Sequence, residues 1–260
     1  MNARRRRAHL TLAAIALALA GAWLRVDGTE PQPRWRRFRW FAATFGDERV
    51  ERAALLVPVR LAGLAGEHDL QLDLGSSQTL LHGGSIHDVA PSFPLRAGAT
   101  AVSGTMAGVP VAAEPVHVLA GFRATVTREA HMPTVGTLGL AFFERRVLVL
   151  DYPGRRFMVL ADGAPIPPGL ARRARFFPIV RRNGKLYVPI DIDGKAQTGA
   201  FFDTGASAFA LVTSTRDWRS LTGLQGDEPS LQRRTGSSWD TEITLVGGAM
   251  RPETTSSVPS

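Results

Sequence analysis

Apolar and polar residues alternate along most of the chain after residue 50, which is the pattern of half-buried β-strands. The alternation is clear in residues 56–63 and again in residues 187–194. Glycine and proline residues interrupt it at short intervals, as at residues 104–110 and 152–154, where the sequence predicts hairpin turns. The pattern therefore predicts an all-β, or at least mainly β, protein.

The strand pattern occurs twice. Residues 56–63 read LVPVRLAG and residues 187–194 read YVPIDIDG. Asp73 follows the last glycine of the first copy after ten residues, and Asp203 follows the last glycine of the second copy after nine. Each copy predicts an alternating strand, a turn, a second apolar strand and a tight loop that opens with the aspartate. Two such copies predict two related halves in one chain.

The two loops that begin at these aspartates are the strongest candidates for chemistry. The first aspartate loop is Asp73, Leu74, Gly75, Ser76 and Ser77, and the second is Asp203, Thr204, Gly205, Ala206 and Ser207. Two carboxylates held together in apolar surroundings share one proton, so one of them acts as a base and the other as an acid. Such a pair can activate water without a metal ion or a cofactor.

These residues resemble the pepsin-like and retropepsin-like aspartic peptidases, whose signature is Asp-Thr/Ser-Gly followed by a small residue. The resemblance spans roughly residues 51–260. It implies a bilobal β-barrel fold and a catalytic dyad of Asp73 and Asp203, with Thr204 making the hydrogen bonds that lock the two loops together. The supporting loop residues that it implies are Gly75, Ser76, Thr204, Gly205 and Ser207. It further implies that residues 137–139 thread beside the first loop and that residues 103–109 form a flap over the substrate.

The chain departs from the family pattern in three places. Leu74 stands where the family has a hydroxyl, and the flap segment has no tyrosine. Gly139 lies 66 residues after Asp73, and the same spacing from Asp203 runs past Ser260, so we expect an incomplete second lobe. Two functions remain open: an aspartic-type endopeptidase, and a catalytically inactive protein of the same fold that binds peptides or associates with the cell envelope. Either would take an extended peptide as its partner.

The N-terminus predicts export. Four arginines at residues 4–7 precede an uncharged stretch over residues 8–24, which predicts a hydrophobic helix within residues 1–25 that is a signal peptide or a membrane anchor. Residues 26–50 mix arginine with tryptophan and phenylalanine, and both a solvated linker and a contact with a membrane surface remain open. The expected location is the periplasm or the cell envelope.

Further boundaries follow from composition. We expect a first lobe over residues 51–163, a connection rich in proline and arginine over residues 164–185, and a shortened second lobe over residues 186–260.

Charge and cysteine content exclude several classes of function. The net charge is +8, but residues 1–60 hold 12 arginines and 5 acids, which leaves 19 basic and 18 acidic residues for the rest. No nucleic-acid partner is expected, because a binding face needs basic residues clustered on the folded surface. The absence of cysteine excludes disulfides and thiolate metal sites. His82 and His87 are expected in surface or loop positions. Residues 205–209 approach the Gly-x-Ser-x-Gly turn that carries the nucleophile of serine hydrolases, but they lack its last glycine.

Overall fold

The computed structural model describes residues 34–45, 48–124, 134–192, 194–208, 211, 215–225, 232–238 and 241–247. The chain divides into two units, residues 1–34 and residues 35–260, and every element below belongs to the second. The expected hydrophobic helix within residues 1–25 lies outside the described residues. None of the helices in the described ranges has the length and apolar character needed to span a membrane.

Strands dominate the described residues, so the prediction of a mainly β protein is confirmed. Up to residue 161 the strands are β1 (Arg36–Arg37), β2 (Arg39–Phe45), β3 (Glu48–Leu61), β4 (His68–Leu72), β5 (Leu80–His82), β6 (Gly98–Met106), β7 (Val109–Leu119), β8 (Thr134–Leu138), β9 (Arg146–Asp151) and β10 (Arg156–Ala161). The later strands are β11 (Val180–Arg182), β12 (Lys185–Ile192), β13 (Lys195–Phe201), β14 (Gln232–Ser238) and β15 (Thr241–Gly247). The helices are α1 (Gly83–Val89), α2 (Pro168–Ala171), α3 (Thr215–Thr222) and a short 3-10 helix (Leu140–Phe143).

The largest sheet has seven strands in the order β2-β3-β4-β8-β5-β7-β6. Strand β6 also pairs with β3, so that six of the seven strands close into a ring and only β2 remains at an edge. Strands β4 and β8 are parallel, as are β5 and β7, whereas the other pairs are antiparallel. Closure satisfies the backbone groups that an open edge would leave unpaired.

Three smaller antiparallel sheets accompany it, in the orders β1-β10-β9, β11-β12-β13 and β14-β15. The hydrophobic core is built mainly from the seven-stranded sheet, with Phe142 from the 3-10 helix and Phe157 from β10. Its largest side chains also include those of Leu55 and Leu70. Among the residues after Ala161 whose burial is described, only Thr204 is buried. The sheet of β11, β12 and β13 approaches this core through the partly buried side chain of Leu186.

Part of the segment expected as a linker over residues 26–50 is instead folded. Strands β1 and β2 occupy residues 36–45, and β3 begins at Glu48 rather than after residue 50. Phe38 is buried, and its ring meets that of Trp40 edge to face at 5.3 Å between centroids. Aromatic and basic residues of this segment both take part in the fold, since Phe38 is buried and Arg39 pairs with the carboxylate of Asp69. The described fold consequently starts near Trp35.

An ion pair joins β2 to β4 within the large sheet. The guanidinium of Arg39 contacts the carboxylate of Asp69, whose side chain is buried. Burial raises the pKa of Asp69 despite the lowering effect of Arg39. The pair thus offsets part, and not all, of the cost of removing the carboxylate from water.

The expectation that His82 lies at the surface or in a loop is wrong, whereas His87 is exposed as expected. His82 closes strand β5, and its ring packs against Phe122 at 4.6 Å between centroids. Its Nε2 atom lies 3.4 Å from the hydroxyl of Thr137. Burial lowers the pKa of His82 to about 4, because the surroundings disfavour the charged ring.

This burial makes stability depend on pH. The unfolded chain binds the proton near the ordinary histidine pKa of about 6.5, whereas the folded chain binds it only near pH 4. His82 therefore stabilises the fold above about pH 6.5, and we expect that contribution, on the order of 3 kcal/mol, to be lost as the pH falls towards 4. The measurement is urea unfolding of the wild-type chain and of His82→Leu at several pH values. As the pH falls from about 6.5 towards 4, the wild-type chain should lose stability relative to His82→Leu.

The matched control is His87→Leu, which changes an exposed histidine five residues further along the chain. It should keep the pH dependence of the wild-type chain. Parallel profiles for the wild-type chain and His82→Leu would show that the buried ring does not set this dependence.

Candidate active site

The first aspartate loop is fixed by the large sheet. Asp73 follows β4, and its backbone N–H donates to the carbonyl oxygen of Leu138 at 3.1 Å, where β8 runs parallel to β4. Gly139 follows β8 and packs directly on the carbonyl group of Gln78, with no room for a side chain. Residues 137–139 thus lie beside the first loop, in the place that the sequence suggested.

The second aspartate loop follows β13, the last strand of the β11-β12-β13 sheet. The backbone N–H of Phe202 donates to the carbonyl oxygen of Leu186 at 2.9 Å and extends the pairing towards the loop. Two residues later the side chain of Thr204 is buried. The two aromatic residues before Asp203 are only partly buried, since Phe201 and Phe202 are more than a third exposed.

The structure brings the two loops into contact although 130 residues separate their aspartates. A Cβ atom on Gly75 would lie 2.5 Å from the Cγ atom of Asp203, and a Cβ atom on Gly205 would lie 2.5 Å from the Cγ atom of Asp73. Each glycine therefore leaves space for the carboxylate of the other loop. The two carboxyl groups interact directly, since the charge and the side chain of Asp203 both raise the pKa of Asp73. Asp73 and Asp203 therefore lie side by side, and the contact that each makes with the glycine of the other loop is nearly the same.

Backbone amides hold both carboxylates in this position. The N–H groups of Gly75 and Ser76 donate to Oδ1 of Asp73 at 2.8 and 3.1 Å. The N–H of Gly205 donates to Oδ1 of Asp203 at 2.7 Å. Each loop thus turns back on its own aspartate in the same way.

Thr204 links the loops through a buried hydroxyl. Its Oγ1 atom accepts a hydrogen bond from the N–H of Leu74 at 2.9 Å and donates one to the carbonyl oxygen of Leu72 at 3.0 Å. The side chain of Leu74 is itself buried and has no hydroxyl to return the same pair of bonds. Gln71 adds a further link, since its Nε2 atom donates to the carbonyl oxygen of Gly205 at 3.4 Å.

The other predicted loop residues make local contacts. The hydroxyl of Ser76 donates to the carbonyl oxygen of Gln78 at 2.7 Å, and the hydroxyl of Ser207 donates to that of Thr204. These bonds stabilise the turn within each loop and do not cross between loops.

The surroundings raise the pKa of Asp73 to about 7. Burial is the largest cause, followed by the charge of Asp203 and the hydrogen bond with it. The amides of Gly75 and Ser76 act in the opposite direction, because they stabilise the ionised carboxylate. The pair therefore retains a shared proton at mildly acid pH.

A cleft of about 410 Å³ opens over the two carboxylates, a size within the range of ligand sites. Its lining comes from both halves of the chain: Asp73, Gly75, Ser76, Ser77, Gln78, Leu80, Lys185, Phe201 and Asp203. The sequence did not predict Lys185 as a residue of the cleft. An isolated lysine after a turn does not indicate how close it lies to a loop that is distant in the sequence. Within the described ranges, no cluster of three histidine, aspartate or glutamate side chains could hold a metal ion.

The flap expected over residues 103–109 is not found at this cleft. Among the described residues, none from that segment lines it. Met106 and Ala107 are buried at the turn between β6 and β7, and the N–H of Ala107 donates to the carbonyl oxygen of Pro58 at 2.9 Å. The expectation is wrong because the pairing of β6 with β3 holds this turn against the sheet.

Removing the hydroxyl of Thr204 should destabilise the fold. In Thr204→Val, the buried N–H of Leu74 and carbonyl oxygen of Leu72 lose their shared partner. We expect a loss of about 2–4 kcal/mol in the free energy of unfolding, because each unsatisfied buried group costs about 1–3 kcal/mol. Thr204→Ser keeps the hydroxyl and is the control. Urea unfolding of both variants measures the difference, and an unchanged midpoint for Thr204→Val would contradict the role of this hydroxyl.

Adding a methyl group beneath either carboxylate should also destabilise the chain. Gly75→Ala and Gly205→Ala place a Cβ atom against Asp203 and Asp73 respectively, and overpacking of this kind costs about 1–3 kcal/mol. Gly169→Ala is the matched control, because no atom outside its chain neighbours and its own helix backbone lies within 4 Å of its Cβ position. Thermal unfolding should show a lower midpoint for the first two variants alone. Tolerance of both alanines would mean that the loops are further apart than described.

Comparison with known proteins provides no relative from which to transfer a function. No protein-family model, no curated protein and no solved structure matches this chain. The assignment of a function depends on the residues and geometry of the two aspartate loops.

Proposed function

We propose that the chain is an aspartic-type endopeptidase whose catalytic dyad is Asp73 and Asp203. The observation that carries the proposal is the reciprocal packing of the two loops, in which each glycine makes room for the carboxylate of the other. Paired carboxylates with a shared proton are suited to acid-base catalysis at mildly acid pH. In this proposal the two halves are the lobes of an aspartic-peptidase-like fold, the first starting near Trp35.

The chemistry needs only the dyad and one water molecule. The ionised carboxylate of the pair accepts a proton from the water while the water oxygen bonds to the peptide carbonyl carbon. The protonated carboxyl, which the raised pKa of Asp73 favours on that residue, donates its proton to the carbonyl oxygen. The resulting diol then collapses: the C–N bond breaks, the nitrogen takes up a proton from the dyad, and a carboxylic acid and an amine leave. One hydroxyl of the diol returns its proton to the dyad as the new carbonyl forms, so the pair again holds a single proton.

The backbone amides around the dyad hold both carboxyl groups in place during these proton transfers. The amides of Gly75 and Ser76 point at Asp73, and the amide of Gly205 points at Asp203, so both carboxyl groups keep their orientation as the proton moves. The cleft is open to solvent beside Ser77 and Gln78, where an extended peptide could lie across both loops. A peptide in extended conformation is the substrate class that this shape supports.

A second candidate function is favoured by Leu74. Among the described loop residues, the hydroxyl that bonds across to the other loop is that of Thr204, and Leu74 supplies no return bond. A dyad held from one side tolerates more relative movement, and a misplacement of about 1 Å can cost about a hundredfold in rate. The alternative is therefore a protein of the same fold that binds peptides in the cleft without cleaving them.

Substitution of the dyad tests the proposal directly. With a peptide library at mildly acid pH, we expect Asp73→Asn and Asp203→Asn to lower the cleavage rate by about a hundredfold to ten-thousandfold, the contribution that one acid or base typically makes. Asp162→Asn is the control, because that aspartate is exposed and forms a surface ion pair with Arg145. Cleavage by the wild-type chain should also fall as the pH rises through about 7, since Asp73 then loses the proton it must donate.

The outcomes separate the two candidates. Equal cleavage by the wild-type chain and both dyad variants would exclude the proposed dyad. Peptide binding by a wild-type chain that shows no turnover at any pH would support the second candidate.

A further inference from the structure

Lys185 lines the cleft together with Asp73 and Asp203, although it belongs to the second half of the chain. It is the first residue of β12 and follows the turn at Asn183 and Gly184. Those two residues have φ angles of 52° and 68°, which is the left-handed geometry of a two-residue hairpin turn. The sequence Asn-Gly suits this turn, so the start of β12 is defined by local structure.

Two contacts hold this hairpin against the first half of the chain. A Cβ atom on Gly184 would lie 2.8 Å from the Cβ atom of Ser77, so the turn packs closely on the first aspartate loop. On the strand before the turn, Arg181 forms an ion pair with Glu144. The backbone of Lys185 is consequently fixed beside the cleft and does not depend on a mobile loop.

The ammonium of Lys185 is positioned by an aromatic ring. Its Nζ atom lies 4.7 Å from the ring centroid of Phe201, which also lines the cleft. The ring attracts the cation but neutralises none of its charge. No ion pair formed by the described residues involves Lys185.

We propose that Lys185 and Phe201 form a subsite that selects peptides carrying a carboxylate next to the dyad. The carboxylate comes from an aspartate or glutamate side chain or from the C-terminus of the peptide. The ammonium of Lys185 has no ion-pair partner among the described residues, so it gains one when such a group enters. The adjacent ring of Phe201 supports the aliphatic part of the entering side chain. This inference rests on the proposed function for the position of the peptide, and it adds a substrate preference that the dyad alone does not provide.

The test compares peptides that differ only in one carboxylate. Extended peptides with C-terminal amides carry glutamate or glutamine at each position in turn, and a further pair differs only in a free or an amidated C-terminus. Dissociation constants are measured by fluorescence anisotropy at about pH 6, where glutamate is ionised. The chain used is Asp203→Asn, so that binding is measured without turnover. We expect about fivefold tighter binding of the glutamate peptide at one position, which is the upper size of the effect of one exposed ion pair.

Variants of Lys185 then assign the preference. Lys185→Gln should abolish the glutamate preference, Lys185→Arg should retain it, and Lys185→Glu should reverse it in favour of a lysine peptide. Raising the salt concentration should reduce the preference in the parent chain. Arg182→Gln is the matched control, because Arg182 lies on the same hairpin over the ring of Tyr187 and does not line the cleft. It should leave the preference unchanged.

The outcomes distinguish this inference from the proposed function. A preference that depends on Lys185, in a chain whose wild type cleaves no peptide, would support the subsite and contradict the endopeptidase. Cleavage without any glutamate preference, or a preference that survives in Lys185→Gln, would overturn the subsite and leave the dyad intact. Failure of all the peptides to bind would also overturn it. If only the free C-terminus is preferred, the subsite recognises a chain end and not a side chain.

Discussion

Two carboxyl groups can remain in contact only where no side chain separates them and where one of them keeps a proton. Gly75 and Gly205 meet the first condition, because the space of each missing Cβ atom is filled by the carboxylate of the other loop. Burial and the neighbouring charge meet the second, since both raise the pKa of Asp73. The cleft opens over this contact, and its chemistry depends on it.

The two halves support this contact unequally. The first loop is built into the large sheet through Leu138 and lies next to the hydrophobic core. The second loop follows a sheet that has no buried residue among those whose burial is described. Its links to the first loop and to β4 include the buried hydroxyl of Thr204 and the hydrogen bond from Gln71 to Gly205. Leu74 replaces the expected reciprocal hydroxyl with an apolar side chain packed in the core. Burial of that side chain stabilises the first loop by itself, but it does not bind the second loop to it.

The sequence predicted what depends on short-range pattern. The alternation predicted the strands, and the repeat predicted that Asp73 and Asp203 occupy equivalent loops. The resemblance to aspartic peptidases implied that residues 137–139 lie beside the first loop. The prediction failed where the position of a segment depends on contacts with residues that are distant in the sequence. The turn near Met106 was expected above the cleft, but β6 pairs with β3, and nothing in either strand specifies that partner. His82 was expected at the surface because a lone histidine does not report its burial, and Lys185 was missed because its place depends on how a hairpin packs on Ser77.

Burial shifts the two groups with the clearest perturbations in opposite directions, and the consequences for stability also oppose each other. Asp73 keeps its proton in the folded chain at pH values where the unfolded chain has lost it, so its contribution to stability falls as the pH rises from about 4 towards 7. His82 stays neutral in the folded chain where the unfolded chain is charged, so its contribution rises over much of the same interval. The desolvation that makes Asp73 an acid therefore destabilises the fold above its ordinary pKa, while the buried imidazole acts in the other direction. A mildly acid range is where a protonated Asp73 and a stable fold are compatible.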